Sequence, residues 1–143
     1  MKNIPSLFLS QAYRDCWDDY NRSLKLKKFP RWDYVILTAS NEQQAEGFRK
    51  QLEERKSFLP KHTKFVAIPD RDGQRVGSGG ATLEVLKYLH SQEESFEKLR
   101  VLVIHSGGDS KRVPQYSALG KLFSPVPHKL PNGRNSTLFD EFM

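Results

Sequence analysis

Val101, Leu102, Val103 and Ile104 form a run of branched apolar residues that leads directly to Gly107 and Gly108. No other stretch constrains the fold as strongly. The run reads as a strand buried on both faces, the habit of a central strand in a parallel sheet. The glycines after it permit tight turns and let a ligand come close to main-chain N–H groups. Lys111 and Arg112 follow at once, Lys121 stands after Gly120, and Pro114, Pro125 and Pro127 stiffen the return path. A buried strand that opens into a glycine turn set with cations suits the holding of phosphates.

Before that strand, helical and extended periods alternate. In residues 6–27 a helical stripe joins Leu9, Tyr13, Cys16, Trp17, Tyr20 and Leu24, with Pro5 and Ser6 as start signals and Lys25, Lys27 and Lys28 at the negative end of the dipole. The stripe fits a packed helix or a partner-binding one. Pro30 closes this unit, so the chain divides into an N-terminal amphipathic helix (1–30) and a second region (31–143). Residues 33–39 predict a strand. A helix then starts at Ser40, with Gln43 as capping-box partner, and buries Ala45, Phe48 and Leu52 until Pro60 stops it. Phe65 to Ile68 predicts a second strand, and residues 70–80 form a loop rich in Gly, Asp and Arg. Thr82 to His90 is a helix with stripe Thr82, Val85, Leu86 and Leu89. Strands alternating with helices predict an α/β fold with a parallel sheet, whose right-handed crossovers bring both glycine loops to one crevice. Beyond the turn residues Pro131, Asn132 and Gly133, Asn135 or Ser136 caps a helix whose stripe begins with Leu138, Phe139 and Phe142. Met143 cuts it one turn in, its apolar face is expected to lack a covering layer, and the chain reads as the N-terminal part of a longer protein.

Several classes are excluded on composition. Cys16 is the single cysteine, which rules out an internal disulfide or a paired-cysteine zinc site and suits a reducing compartment, so a cytoplasmic location is expected. No apolar run reaches the ~20 residues of a membrane span, and Leu7 to Leu9 is too short for a secretory core. With 143 residues and 37% hydrophobic content, one domain with a modest core is expected. The net charge of +6 admits nucleic acid or small phosphorylated ligands. A nucleic-acid module would cluster its cations among exposed aromatics. Here Lys and Arg are scattered and many aromatics fall in apolar stripes, which argues against it.

The second glycine cluster, Arg75 to Thr82, offers N–H groups of Ser78, Gly79 and Gly80 at the start of a helix, where an anion can bind. It has neither the Gly-Lys-Ser/Thr ending of an NTPase loop nor dinucleotide-fingerprint spacing, and a flexible capped turn explains it equally well. Asp70, Asp72 and Asp109 are loop carboxylates, suited to turns or to a divalent metal. His105, at the end of the apolar run, reads as a packed or hydrogen-bonded histidine rather than a catalytic one, and His62, His90 and His128 have no metal-ligand spacing.

The stretch VIHSGGDSKRVP…GKLFSPVP resembles the signature of sugar-1-phosphate nucleotidyltransferases, G-G-x-G-T-R followed by Lys and Pro-Val. Ser110 and Lys111 stand where that pattern has Gly-Thr, and the glycine pair follows the third predicted strand rather than the first. Together with PDRDGQRVGSGGATL, the stretch is similar to the L-fucose-1-phosphate guanylyltransferase family across residues 32–143. The resemblance implies a nucleotide-diphospho-sugar transferase-like (Rossmann-like) fold, here incomplete at the C-terminus. It implies formation of GDP-fucose and pyrophosphate from GTP and fucose-1-phosphate, a need for Mg²⁺, and in many members fusion to a fucokinase. By the same resemblance Arg112 sits on the triphosphate as pyrophosphate departs, and Lys121 neutralises phosphate charge near the attacking group. Ser78, Gly79, Gly80, Gly107 and Gly108 approach the nucleotide. No metal ligand is placed. This portion alone is expected to be inactive, and a non-catalytic fragment is the alternative reading.

Overall fold

The computed structural model describes residues 4–26, 30–71, 74–93, 95, 97–107, 114–116, 120–130 and 132–143. The chain divides into two compact units, Met1–Arg31 and Trp32–Met143. The first is helix α1, Ile4–Lys25. Trp17 and Tyr20 stack on it with ring centroids 5.3 Å apart. Leu9, Tyr13 and Cys16 of the predicted stripe are exposed in this unit, as are Leu7 and Phe8. Among the described residues no helix is long and apolar enough to cross a membrane.

In the second unit, β1 (Tyr34–Ala39) is buried along its whole length. Its parallel neighbours are β2 (Lys64–Pro69) and β3 (Val101–His105), in the order β2-β1-β3. The strand alternation assigns each face. Val35, Leu37 and Ala39 pack against Ala45, Phe48 and Leu52 of α2 (Glu42–Arg55). Tyr34 and Ile36 pack on the other face against Val85 and Leu89 of α3 (Gly77–Gln92). The result is the predicted α/β fold with a parallel sheet, here with a helix packed on each face. The fully buried strand, however, is β1. Val101 to Ile104 are only half-buried, because among the described residues β3 pairs with β1 alone.

Two helix starts differ from expectation by local chemistry. The cap of α2 is Asn41, not Ser40: its side chain accepts the Gln44 N–H (2.8 Å), while the Ser40 N–H donates to Gln44 Oε1 (2.8 Å). Gln44, not Gln43, is therefore the partner at this end, and its oxygen accepts from the residue before the cap rather than closing a capping box on Asn41. Helix α3 begins at Gly77, inside the stretch read as a loop. Gly77 enters it with a left-handed φ of 67°. The buried stripe is Ala81, Val85 and Leu89, whereas Leu86 is 42% exposed.

Gly80 fits this first turn only because it lacks a side chain. A Cβ there would stand 2.4 Å from Val76 Cβ and 2.8 Å from Val76 Cγ2. Gly80→Ala is expected to destabilise the fold by about 1–3 kcal/mol in urea unfolding, the usual cost of overpacking. Adding Val76→Gly should recover part of the loss. Val76→Ala should not, since it keeps the clashing Cβ.

The chain ends in a hairpin of β4 (Pro125–Lys129) and β5 (Asn135–Thr137), followed by α4 (Leu138–Phe142). Of the predicted turn residues Pro131 lies outside the described residues, while Gly133 has φ 82° and its N–H donates to the Leu130 carbonyl (2.8 Å). The cap of α4 is Thr137, in a capping box with Asp140, rather than Asn135 or Ser136. The expected lack of cover holds for Phe142, which is 65% exposed, but not for Phe139. Phe139 is fully buried and belongs to the same core cluster as Val35 and Leu37.

Candidate functional site

From β1 the chain crosses to β2 on one side of the sheet, and β3 then pairs with β1 on the other. The carboxyl ends of β1 and β3 therefore flank the switch point where ligands of such sheets bind. A cavity of about 230 Å³ opens there. Thr38, Asp70, His105 and Gly107 contribute from the strand ends, and Arg75, Gly77, Ser78 and Ala81 from the start of α3. The two glycine loops thus share one crevice, as the sequence predicted, through Ser78 and Gly107. The first-turn N–H groups of α3 have no intrahelical acceptor, and Val76 makes no side-chain cap. Gly79 and Gly80 are not in the cavity wall. A Cβ at Gly79 would meet nothing within 4 Å, whereas Gly80 faces Val76.

Gly107 sits in close packing. A Cβ would lie 3.0 Å from Ser40 N, 3.2 Å from Ala39 C and 3.4 Å from Ser40 Cα, all backbone atoms of the β1–α2 turn. Gly108 and Arg112 lie outside the described residues, as do Asp72, Asp109 and Lys111. Lys121 is exposed and lines a separate cavity of about 220 Å³ beside Ile104, Ser106, Leu122, Leu138 and Phe142. His105 belongs to both walls. Gly120, at φ 77°, seats the Lys121 turn on α2, where a Cβ would meet Gln44 Nε2 at 3.0 Å and Phe48 Cζ at 3.3 Å.

His105 is held between two hydroxyls, with Thr38 Oγ1 3.4 Å from Nδ1 and Thr82 Oγ1 3.4 Å from Nε2. Thr82 donates its hydroxyl proton to the Ser78 carbonyl (2.8 Å), which leaves its oxygen to accept from Nε2. Ser106 ties the same corner together, its hydroxyl donating to the Thr38 carbonyl (2.7 Å). Burial raises the pKa of Asp70, against a hydrogen bond from the Val76 N–H and the charges of Arg75 and His105. Thr38 and Arg75 were not anticipated as site residues. The one signal for Thr38 is its place as the polar break at the carboxyl end of an apolar strand.

The profile of the fucose pyrophosphorylase domain matches residues 93–143, from the end of α3 through β3 to α4. The chain is 33% identical, over 94% of its own length, to a bifunctional fucokinase/GDP-fucose pyrophosphorylase of Arabidopsis thaliana. Over 67% of its length it is 42% identical to a fucose-1-phosphate guanylyltransferase of Mus musculus and 37% identical to one of Homo sapiens. The chain belongs to the fucose pyrophosphorylase family. It spans 15%, 17% and 16% of the lengths of these three relatives. No solved structure matches it. The matched fucose pyrophosphorylase segment contains Gly107 and Lys121, while Ser78 lies before it.

Proposed function

We propose that this chain is the nucleotide-binding portion of a fucose-1-phosphate guanylyltransferase, which joins GTP and fucose-1-phosphate to give GDP-fucose and pyrophosphate. The observation that carries this reading is the shared cavity of Ser78 and Gly107 at the switch point of a family member's sheet. A sugar-phosphate oxygen attacks the α-phosphorus of GTP, and pyrophosphate leaves. Two anions must be held together while charge grows on the leaving group, so positioning and electrostatic stabilisation carry the reaction. The Ser78 end of α3 supplies N–H donors, with Gly79 and Gly80 behind it in the same turn. Gly107 and Gly108 bring main chain to the nucleotide. Arg112 stabilises the departing pyrophosphate. Lys121, in its neighbouring cavity, meets the phosphate of the attacking sugar.

Among the described residues no group of three His, Cys, Asp or Glu side chains is placed to hold a metal. Among the described residues Asp70 is the one carboxylate in the cavity wall, with Arg75 in the same wall, a set that does not by itself fit a resident Mg²⁺. Mg²⁺ is instead taken to arrive as the counter-ion of the nucleotide. The family members that carry a fucokinase make a kinase domain the expected companion of the longer protein. The test is pyrophosphate release by the full-length protein from each of the four NTPs with fucose-1-phosphate. GTP is expected to be preferred, and absence of release from every NTP would overturn the assignment.

A further inference from the structure

Among the described residues, Asp70 is the one carboxylate in the wall of the 230 Å³ cavity. Its presence is at odds with a cavity that holds only phosphates. The N-terminus of α3 and Arg75 favour negative charge, whereas an ionised Asp70 repels it and can only accept hydrogen bonds. The part of a ligand that lies against Asp70 therefore carries donors. The cavity, about 230 Å³, has room for a bicyclic base. The Val76 N–H takes up at most part of the carboxylate's acceptor capacity, leaving further lone pairs for a ligand.

Purine bases differ most at this kind of contact. Guanine presents N1–H and the N2 amino group side by side, two donors that match the two oxygens of one carboxylate. Adenine presents an acceptor at N1, and hypoxanthine has N1–H without the amino group. We propose that the Asp70 carboxylate, set in the cavity wall between the ends of β1 and β3 and the start of α3, pairs with N1–H and N2–H of guanine and so sets base choice. This rests on the guanylyltransferase reading above. Asp70 is half-buried, and an acceptor that the bound base covers but leaves unpaired is a source of discrimination.

The experiment measures kcat and KM of the full-length protein for GTP, ITP and ATP with fucose-1-phosphate, in wild type and Asp70→Asn. The wild type is expected to favour GTP over ITP at least tenfold and over ATP by more. Asp70→Asn, which replaces one acceptor by a donor, should lower kcat/KM for GTP about a hundredfold, mostly through KM. The GTP:ITP ratio should fall to within about threefold of unity. An unchanged ratio in the variant overturns the assignment. So does an equal fall in kcat for all three nucleotides, which would place Asp70 in the chemical step. Wild-type ITP turnover equal to that of GTP overturns it even if the variant fails to fold. A wild type inert to every NTP overturns the enzymatic reading together with this one.

Discussion

Arg55→Ala is expected to lower stability by about 3–5 kcal/mol, the cost of leaving one member of a buried ion pair alone. Against the 5–15 kcal/mol that holds a typical domain together, such a loss removes much of the cooperative transition in thermal or urea unfolding. Arg55 and Asp140 side chains are 3% and 5% exposed, and Nε donates to Oδ1 at 2.8 Å. Further bonds run from Nη2 to Asp140 Oδ2 (3.2 Å) and Thr137 Oγ1 (3.3 Å), and from Nη1 to the Gln51 carbonyl (3.0 Å). The guanidinium also lies 5.0 Å from the Phe123 ring centroid. The planar fork serves all these partners at once, so Arg55→Lys should recover little. Replacing both members, as Arg55→Met with Asp140→Leu, should recover most of the loss. Burial alone would raise the Asp140 pKa, but bonds from Arg55 and Thr137, with the Arg55 charge, hold it below the usual carboxylate range. A depressed folded value means the stabilisation is complete above the unfolded value near ~3.9 and is lost as pH falls through the folded one. Wild-type stability should therefore decline on acidification in that window, and Asp140→Asn should flatten the decline. An Arg55→Ala protein within 1 kcal/mol of wild type would show that the pair does not anchor α4.

The predicted elements were legible where a residue's neighbours in sequence decide its fate. Ala45, Phe48 and Leu52 recur at helical spacing and are buried as a set, and the apolar run at Tyr34 to Leu37 becomes a buried strand. Which apolar run lies in the middle is not a local property. Tyr34–Leu37 and Val101–Ile104 look alike, and only the pairing order gives the first run two neighbours. The start of α3 was hidden because glycine is a poor helix former. The packing of Ala81, Val85 and Leu89 outweighs that propensity. No sequence signal singled out Arg55, because its role depends on Asp140, 85 residues away in the sequence. In the site, the glycine motifs located Ser78 and Gly107, since both follow from turn chemistry. Asp70 was legible only as a loop carboxylate. Its place opposite His105 follows from the parallel register that aligns Thr38 with Ile68 on one side and His105 on the other.

Arg112→Ala in the full-length protein is expected to reduce turnover by about 10²–10³, the usual loss when a preorganised group facing a developing charge is removed. Gly107 lines the cavity and packs closely on the backbone of Ala39 and Ser40, and Arg112 stands five residues further along the sequence. In the proposed reaction the charge that grows fastest lies on the pyrophosphate, so Arg112 should act on kcat more than on the KM for GTP. Arg112→Lys keeps the charge but not the fork and should restore only part of the rate. The pattern across nucleotides separates Arg112 from Asp70. Loss of a phosphate contact lowers GTP and ITP turnover by the same factor and leaves their ratio as in wild type, whereas loss of a base contact changes the ratio. Pyrophosphate should also become a weaker product inhibitor of Arg112→Ala. Near-normal turnover in that variant would remove Arg112 from the reaction and leave Lys121 as the cation assigned to the phosphates.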